Sequence, residues 1–144
     1  MNTPLFGNLP ETYPPRNQWL EEATHRDVVR EIRRRGVPGL IYFHCPNGGW
    51  RHPNAASRFK TLGARAGVSD LIGLLHGRFY ALELKVEDGR MTPAQIQFQQ
   101  EVARAGGTAA CAYGLAHAIE IITRWGWLLE ESKPQTAVQL GLPL

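Results

Sequence analysis

The stretch SDLIGLLHGRFYALELKV, residues 69–86, decides how this chain folds. Two apolar runs, 69–75 and 79–86, flank the pair His76-Gly77, and a two-residue connection ending in glycine marks a tight β-hairpin. With His76 and Gly77 as the loop, Leu75 faces Arg78, and counting outward along both strands brings Asp70 opposite Glu83. Directly opposed residues have Cβ atoms about 4.5–5.5 Å apart. Two carboxylates at that separation repel, unless a cation or a shared proton lies between them. Side-chain alternation puts Phe79, Ala81, Glu83 and Lys85 on one face and Tyr80, Leu82, Leu84 and Val86 on the other. Two readings fit this pattern. One is a site in which hard oxygen ligands hold Mg²⁺ or Mn²⁺ beside an amine; the other is a surface ion cluster near an exposed strand end.

Upstream, Leu20, Ala23, Val28, Val29 and Ile32 recur at helical spacing, which predicts a helix from about Trp19 to the stop at Gly36. Glu21, His25, Val28 and Ile32 form one stripe of it. Glu21 is therefore either a third ligand at the head of an inward row or, like Glu22, a first-turn acid favoured by the helix dipole. Residues 40–43 read as a strand, and His44 to about Gly67 as a long loop rich in Gly, Asn, Pro and basic side chains. Downstream, Thr92, Pro93 and Gln95 stand in capping-box spacing and start a helix that ends at Gly106-Gly107. Residues 108–113 are a buried strand, expected to run parallel to strand 79–86 through a right-handed crossover. Leu115 to about Trp127 is a last amphipathic helix. The order is α-β-β-β-α-β-α: an α/β protein with a mixed central sheet flanked by helices.

The 144 residues, 43% hydrophobic, suffice for one domain with a core. The expected layout is an N-terminal arm over 1–18, with four prolines in the first seventeen residues, a domain over 19–130 and a tail over 131–144. No stretch approaches the roughly 18 apolar residues of a membrane span, and the N-terminus lacks the basic-then-apolar order of a signal peptide. A cytoplasmic protein, associated with the nucleoid of a bacterial or phage-infected cell, is expected. Cys45 and Cys111 are far apart and in no CxxC spacing, so neither a disulfide framework nor a cysteine zinc site is indicated. Net charge is +3 and unevenly spread: residues 1–65 carry ten Lys/Arg against five Asp/Glu, and 66–144 six against eight. A basic first part suits a polyanion.

Several segments together resemble one family. They are His44-Cys45-Pro46-Asn47-Gly48-Gly49-Trp50-Arg51, Lys60-Thr61-Leu62-Gly63, Gly67-Val68-Ser69-Asp70-Leu71, Leu82-Glu83-Leu84-Lys85 and Gly89-Arg90-Met91-Thr92-Pro93-Ala94-Gln95. In this order, over roughly residues 21–125, they are similar to the virus-type replication-repair nuclease (VRR-NUC) family of the PD-(D/E)xK nuclease superfamily. The resemblance implies a restriction-endonuclease-like core, α-β-β-β-α-β, and hydrolysis of DNA phosphodiester bonds with Mg²⁺, for which Mn²⁺ substitutes. It implies metal ligation by Asp70, Glu83, the backbone carbonyl of Leu84 and a helical glutamate, Glu21 or its neighbour Glu22. Lys85 would handle the attacking water and Gln95 would line the site, a role that competes with its capping box. Two departures stand out: Ser69 replaces the proline of the superfamily motif, and His25 stands where glutamine is common.

Residues His44, Asn47, Gly48, Gly49, Trp50, Arg51, Arg58, Lys60 and Arg65 make a loop fit to clasp a DNA backbone, with glycines allowing close approach and cations meeting phosphate. Trp50 either stacks on a base or staples the loop. His44, Cys45 and His52 invite a zinc reading but lack a fourth ligand at usual spacing. The expected function is a structure-selective endonuclease acting on four-way junctions or other branched DNA in replication, recombination or repair. Flap or exonuclease cutting, a DNA-binding module that has lost the chemistry, and a sequence-specific restriction enzyme are the rivals. The family resemblance also implies a homodimer, with Trp125, Trp127, Leu128, Leu129 or the tail Leu140-Gly141-Leu142-Pro143-Leu144 as candidate contact surface.

Overall fold

The computed structural model describes residues 16–46 and 53–131. The arm as far as Pro15, the tail from Ser132 and loop residues Asn47, Gly48, Gly49, Trp50, Arg51 and His52 lie outside the described residues, and so do the expectations placed on them. The elements are α1 (Arg16–Arg35), β1 (Ile41–His44), α2 (Pro53–Thr61), β2 (Leu71–Leu75), β3 (Arg78–Lys85), α3 (Pro93–Arg104), β4 (Thr108–Tyr113) and α4 (Leu115–Arg124).

The hairpin forms as its sequence dictates. Leu75 pairs with Arg78, and the antiparallel register runs to Leu71 opposite Leu82. His76 and Gly77 both have positive φ, 49° and 76°, the combination a two-residue type I′ turn requires. The four strands lie in the order β1-β2-β3-β4. β1 and β3 flank β2 antiparallel, and β4 joins β3 parallel across the α3 crossover.

Each face of the sheet has its own core. Tyr80, Leu82 and Leu84 pack with Val28 and Ile32 of α1, Ile121 and Ile122 of α4, and the wholly buried Trp127. Ala81 and Ile72 pack on the other side under Phe98 and Val102 of α3. Trp127 reaches the sheet where Gly73 has no side chain; a Cβ there would lie 2.2 Å from the indole. The segment after α4 also returns to the end of α1, where Val37 N–H donates to the Trp127 carbonyl at 2.8 Å and Leu129 N–H to that of Arg35 at 2.7 Å.

Two expectations are corrected. Residues 44–67 are not all loop: Pro53 at a first helical position and Ala55-Ala56 behind it start the nine-residue α2. Residues 54–61 bury nothing fully, so no apolar periodicity announced it. Trp127 and Leu128 are core residues, not contact surface, because they seal the sheet face between α1 and α4. Smaller differences are that α1 begins at Arg16, within the span expected for the arm, and α4 ends at Arg124. No helix of the described residues is long and apolar enough to cross a membrane.

Candidate active site

Four elements converge at the end of β3. Glu83 lies near that end, on the α3 side of the sheet, and is 2% exposed. Its Oε1 accepts a hydrogen bond from Gln95 Nε2 at 2.6 Å and lies 3.4 Å from Lys85 Nζ. Its Oε2 is buried with no hydrogen-bond partner. Desolvation pushes the Glu83 carboxyl up to about 8, the Asp70 charge adds to the rise, and Lys85 opposes it. A buried carboxylate with one oxygen unmatched needs either a proton or a cation.

Asp70 sits one residue before β2, where it continues the register that puts it opposite Glu83. Its Oδ2 accepts from Leu84 N–H at 2.8 Å, which pins the carboxylate to the strand that carries Glu83. Its carbonyl accepts from Cys45 N–H at 3.0 Å and is 2.8 Å from His44 Nδ1. His25 meets the His44 ring edge-on with centroids 4.5 Å apart, and burial lowers its pKa. Glu21 and Glu22 diverge. Glu21 turns to the site, 3.4 Å from Val86 N and 4.0 Å from Lys85 Nζ, while exposed Glu22 faces Arg26 at 4.0 Å. Lys85 thus stands between two carboxylates.

Gln95 does both things its position allowed. Its Oε1 accepts from Thr92 N–H at 2.8 Å and Thr92 Oγ1 accepts from Gln95 N–H at 3.3 Å, completing the capping box, while its Nε2 is left for Glu83. Gly67 makes the close approach possible: with φ +81°, a Cβ there would lie 2.3 Å from the Ala94 backbone at the start of α3. Ser69, in the place of the motif proline, is fully buried.

Against a solved structure named "VRR_NUC domain protein", the chain superposes with a TM-score of 0.63 and 24% sequence identity, covering 74% of this chain and 87% of that one. The fold is that of a VRR-NUC domain protein. No protein-family model and no curated protein matches the sequence. The α/β class with a mixed, helix-flanked sheet expected from the sequence is the architecture found, with α2 added to the expected core order.

Within this VRR-NUC fold, Glu21, Asp70, Glu83, Lys85 and Gln95 meet at one place. Among the described residues no three His, Cys, Asp or Glu side chains stand grouped as a ready metal cage; the Lys85 ammonium lies between Glu83 and Glu21 instead. What fits a cation is the unmatched Glu83 Oε2 and the crowding of Asp70 and Glu83. Of the basic residues, Arg58 and Lys60 lie exposed on α2. Arg65 bonds Glu101 at 2.6 Å and lies over the Phe98 ring at 5.3 Å, so it also fastens the turn after α2 to α3.

Sequence reasoning missed the β4 side of the site. Parallel pairing sets Cys111 beside Glu83 and Tyr113 beside Lys85. A crossover helix does not fix strand register, so no local spacing could have announced these neighbours.

Proposed function

We propose that the chain is a metal-dependent nuclease of the VRR-NUC family that hydrolyses phosphodiester bonds of DNA. The observation that carries this is Glu83: a carboxylate 2% exposed, with one oxygen unmatched, beside Asp70 and with Lys85 and Gln95 on its other oxygen. A protein core keeps such a group at a cost in stability, and a binding or catalytic use offsets it. Asp70 and Glu83 would hold Mg²⁺ or Mn²⁺, with Glu21 and the Leu84 carbonyl as further donors. The bound ion would supply Lewis acidity, polarising a phosphate oxygen and lowering the pKa of a water. Gln95 fixes the orientation of the Glu83 carboxylate, and Lys85 offers its ammonium to an attacking water and to charge gathering on phosphate.

Charge supports DNA as the substrate. Between Glu31 and Asp70 there are seven Lys/Arg and no Asp or Glu. We assign selection to branched DNA, such as four-way junctions, because the cations of that segment suit phosphate contacts, which follow the course of the backbone and carry no base sequence. A homodimer would present two sites to such a substrate. For its contact surface, Ile41, Leu74 and Phe79 form an exposed cross-strand row with Phe43 beside it.

The second reading, a DNA-binding module without chemistry, draws on Lys85 standing between Glu83 and Glu21, where an ammonium serves as the cation. One experiment separates them: four-way, flap, splayed and linear DNA incubated with Mg²⁺, Mn²⁺ or EDTA, for the wild type, Glu83→Gln and Lys85→Ala. The nuclease reading expects cutting of branched DNA that EDTA abolishes and either substitution lowers by about 100-fold or more. Cutting that survives EDTA, or binding without cutting under every metal, rejects it. Sedimentation of the same samples reads the dimer.

A further inference from the structure

We propose that Tyr113, backed by His117, is a stacking platform for a DNA base beside the carboxylate site. The inference rests on DNA being the substrate, as argued above. Tyr113 ends β4 opposite Lys85 in the parallel register, two residues after Cys111 opposite Glu83, and so shares the site's face of the sheet. It belongs to neither hydrophobic core and is 37% exposed. An aromatic side chain left accessible next to charged groups is not there to fill volume.

The ring is held at two points. Its hydroxyl interacts with the Cys111 thiol two residues back, which raises the tyrosine pKa. The His117 imidazole lies nearly parallel to it, centroids 6.1 Å apart at 19°, and is itself fixed because His117 Nδ1 accepts the Tyr113 N–H at 3.1 Å. A ring held before the ligand arrives loses little rotamer freedom on binding, which is what makes aromatic contacts efficient. Every nucleobase offers a π-face, so a platform of this kind grips DNA without reading its sequence. That matches a site argued to recognise DNA shape.

The test is a splayed duplex and a four-way junction carrying 5-iododeoxyuridine in turn at positions around the branch, bound with Ca²⁺ in place of Mg²⁺ and irradiated. The platform predicts a cross-link on Tyr113. Tyr113→Phe, which keeps the ring and loses the hydroxyl, should bind the same DNA within about twofold of wild type. Tyr113→Leu, which keeps apolar bulk without a π-face, should bind about tenfold more weakly, with an unchanged unfolding midpoint. Cross-links confined to other residues, Tyr113→Leu binding as tightly as Tyr113→Phe, or Tyr113→Phe binding as weakly as Tyr113→Leu, would overturn it, as would the absence of DNA binding. Neither readout needs cleavage, so a wild type that binds and cross-links but never cuts sinks the nuclease reading and leaves the platform standing.

Discussion

At the scale of single residues, the chain's chemistry turns on how Glu83 carries its charge. Burial first, and Asp70 second, raise its pKa to about 8 against the pull of Lys85. Unfolded, a glutamate titrates near 4.5, so between the two values the folded chain holds a proton the unfolded chain has lost. Without divalent metal, this group's contribution to stability is complete below about 4.5. It should fall as pH rises towards 8, by up to about 1.4 kcal/mol per pH unit. Glu31, which Arg34 and Arg35 hold down to about 2, loses its contribution only on the acid side and does not confuse that window. Urea denaturation at a series of pH values in EDTA checks this: Glu83→Gln should flatten the curve, and an equal slope in both proteins would refute the assignment. The same residue shows what local sequence carries. Counting from His76-Gly77 put Asp70 across from Glu83 because strand alternation and a two-residue turn leave one register, and the ladder keeps that register as far as Leu71 opposite Leu82, one residue short of the pair.

At the scale of elements, the site depends on how the start of α3 meets the chain entering β2. Gly67 is the hinge of that contact, by its φ of +81° and by the 2.3 Å a Cβ would leave to Ala94. Gly67→Ala should destabilise by about 2 kcal/mol or more and should cut cleavage further than stability alone explains, because it pushes Gln95 and Asp70 apart. Chemical denaturation paired with cleavage rates at a temperature where the variant stays folded reads both effects. A variant as stable as wild type would show that the contact is not tight. The start of α3 was legible because Thr92, Pro93 and Gln95 are local signals, and Gln95 proved able to cap and to hold Glu83 at once. α2 was not legible. Its residues sit on the surface among Gly, Asn and Pro, where no buried stripe imposes a helical period.

At the scale of the molecule, two cores on opposite faces of one sheet hold the site rigid while α2 lies outside them. Arg58 and Lys60 are on α2, away from both cores, so replacing them should alter DNA binding and leave folding intact. Removing one cation that meets a phosphate should reduce the slope of log affinity against log salt by about 1. Titrating one DNA at several salt concentrations should therefore give a slope shallower by about 2 for the double variant Arg58→Ala with Lys60→Ala. An unchanged slope would remove α2 from the interface. The same architecture makes Trp127 structural: it fills the space over Gly73 and belongs to the core.

By itself the sequence determined the hairpin, its register, the capped α3 and the presence of Asp70, Glu83 and Lys85 at one end of the sheet. All of these follow from interactions between residues near one another in the chain. Only the tertiary structure decided that Glu21 and not Glu22 turns inward, that Trp127 belongs to the core, and that Cys111, Tyr113 and His117 border the site. Those placements depend on how helices and a parallel strand settle against the sheet, and packing of that kind is set by the whole set of neighbours at once, not by spacing along the chain.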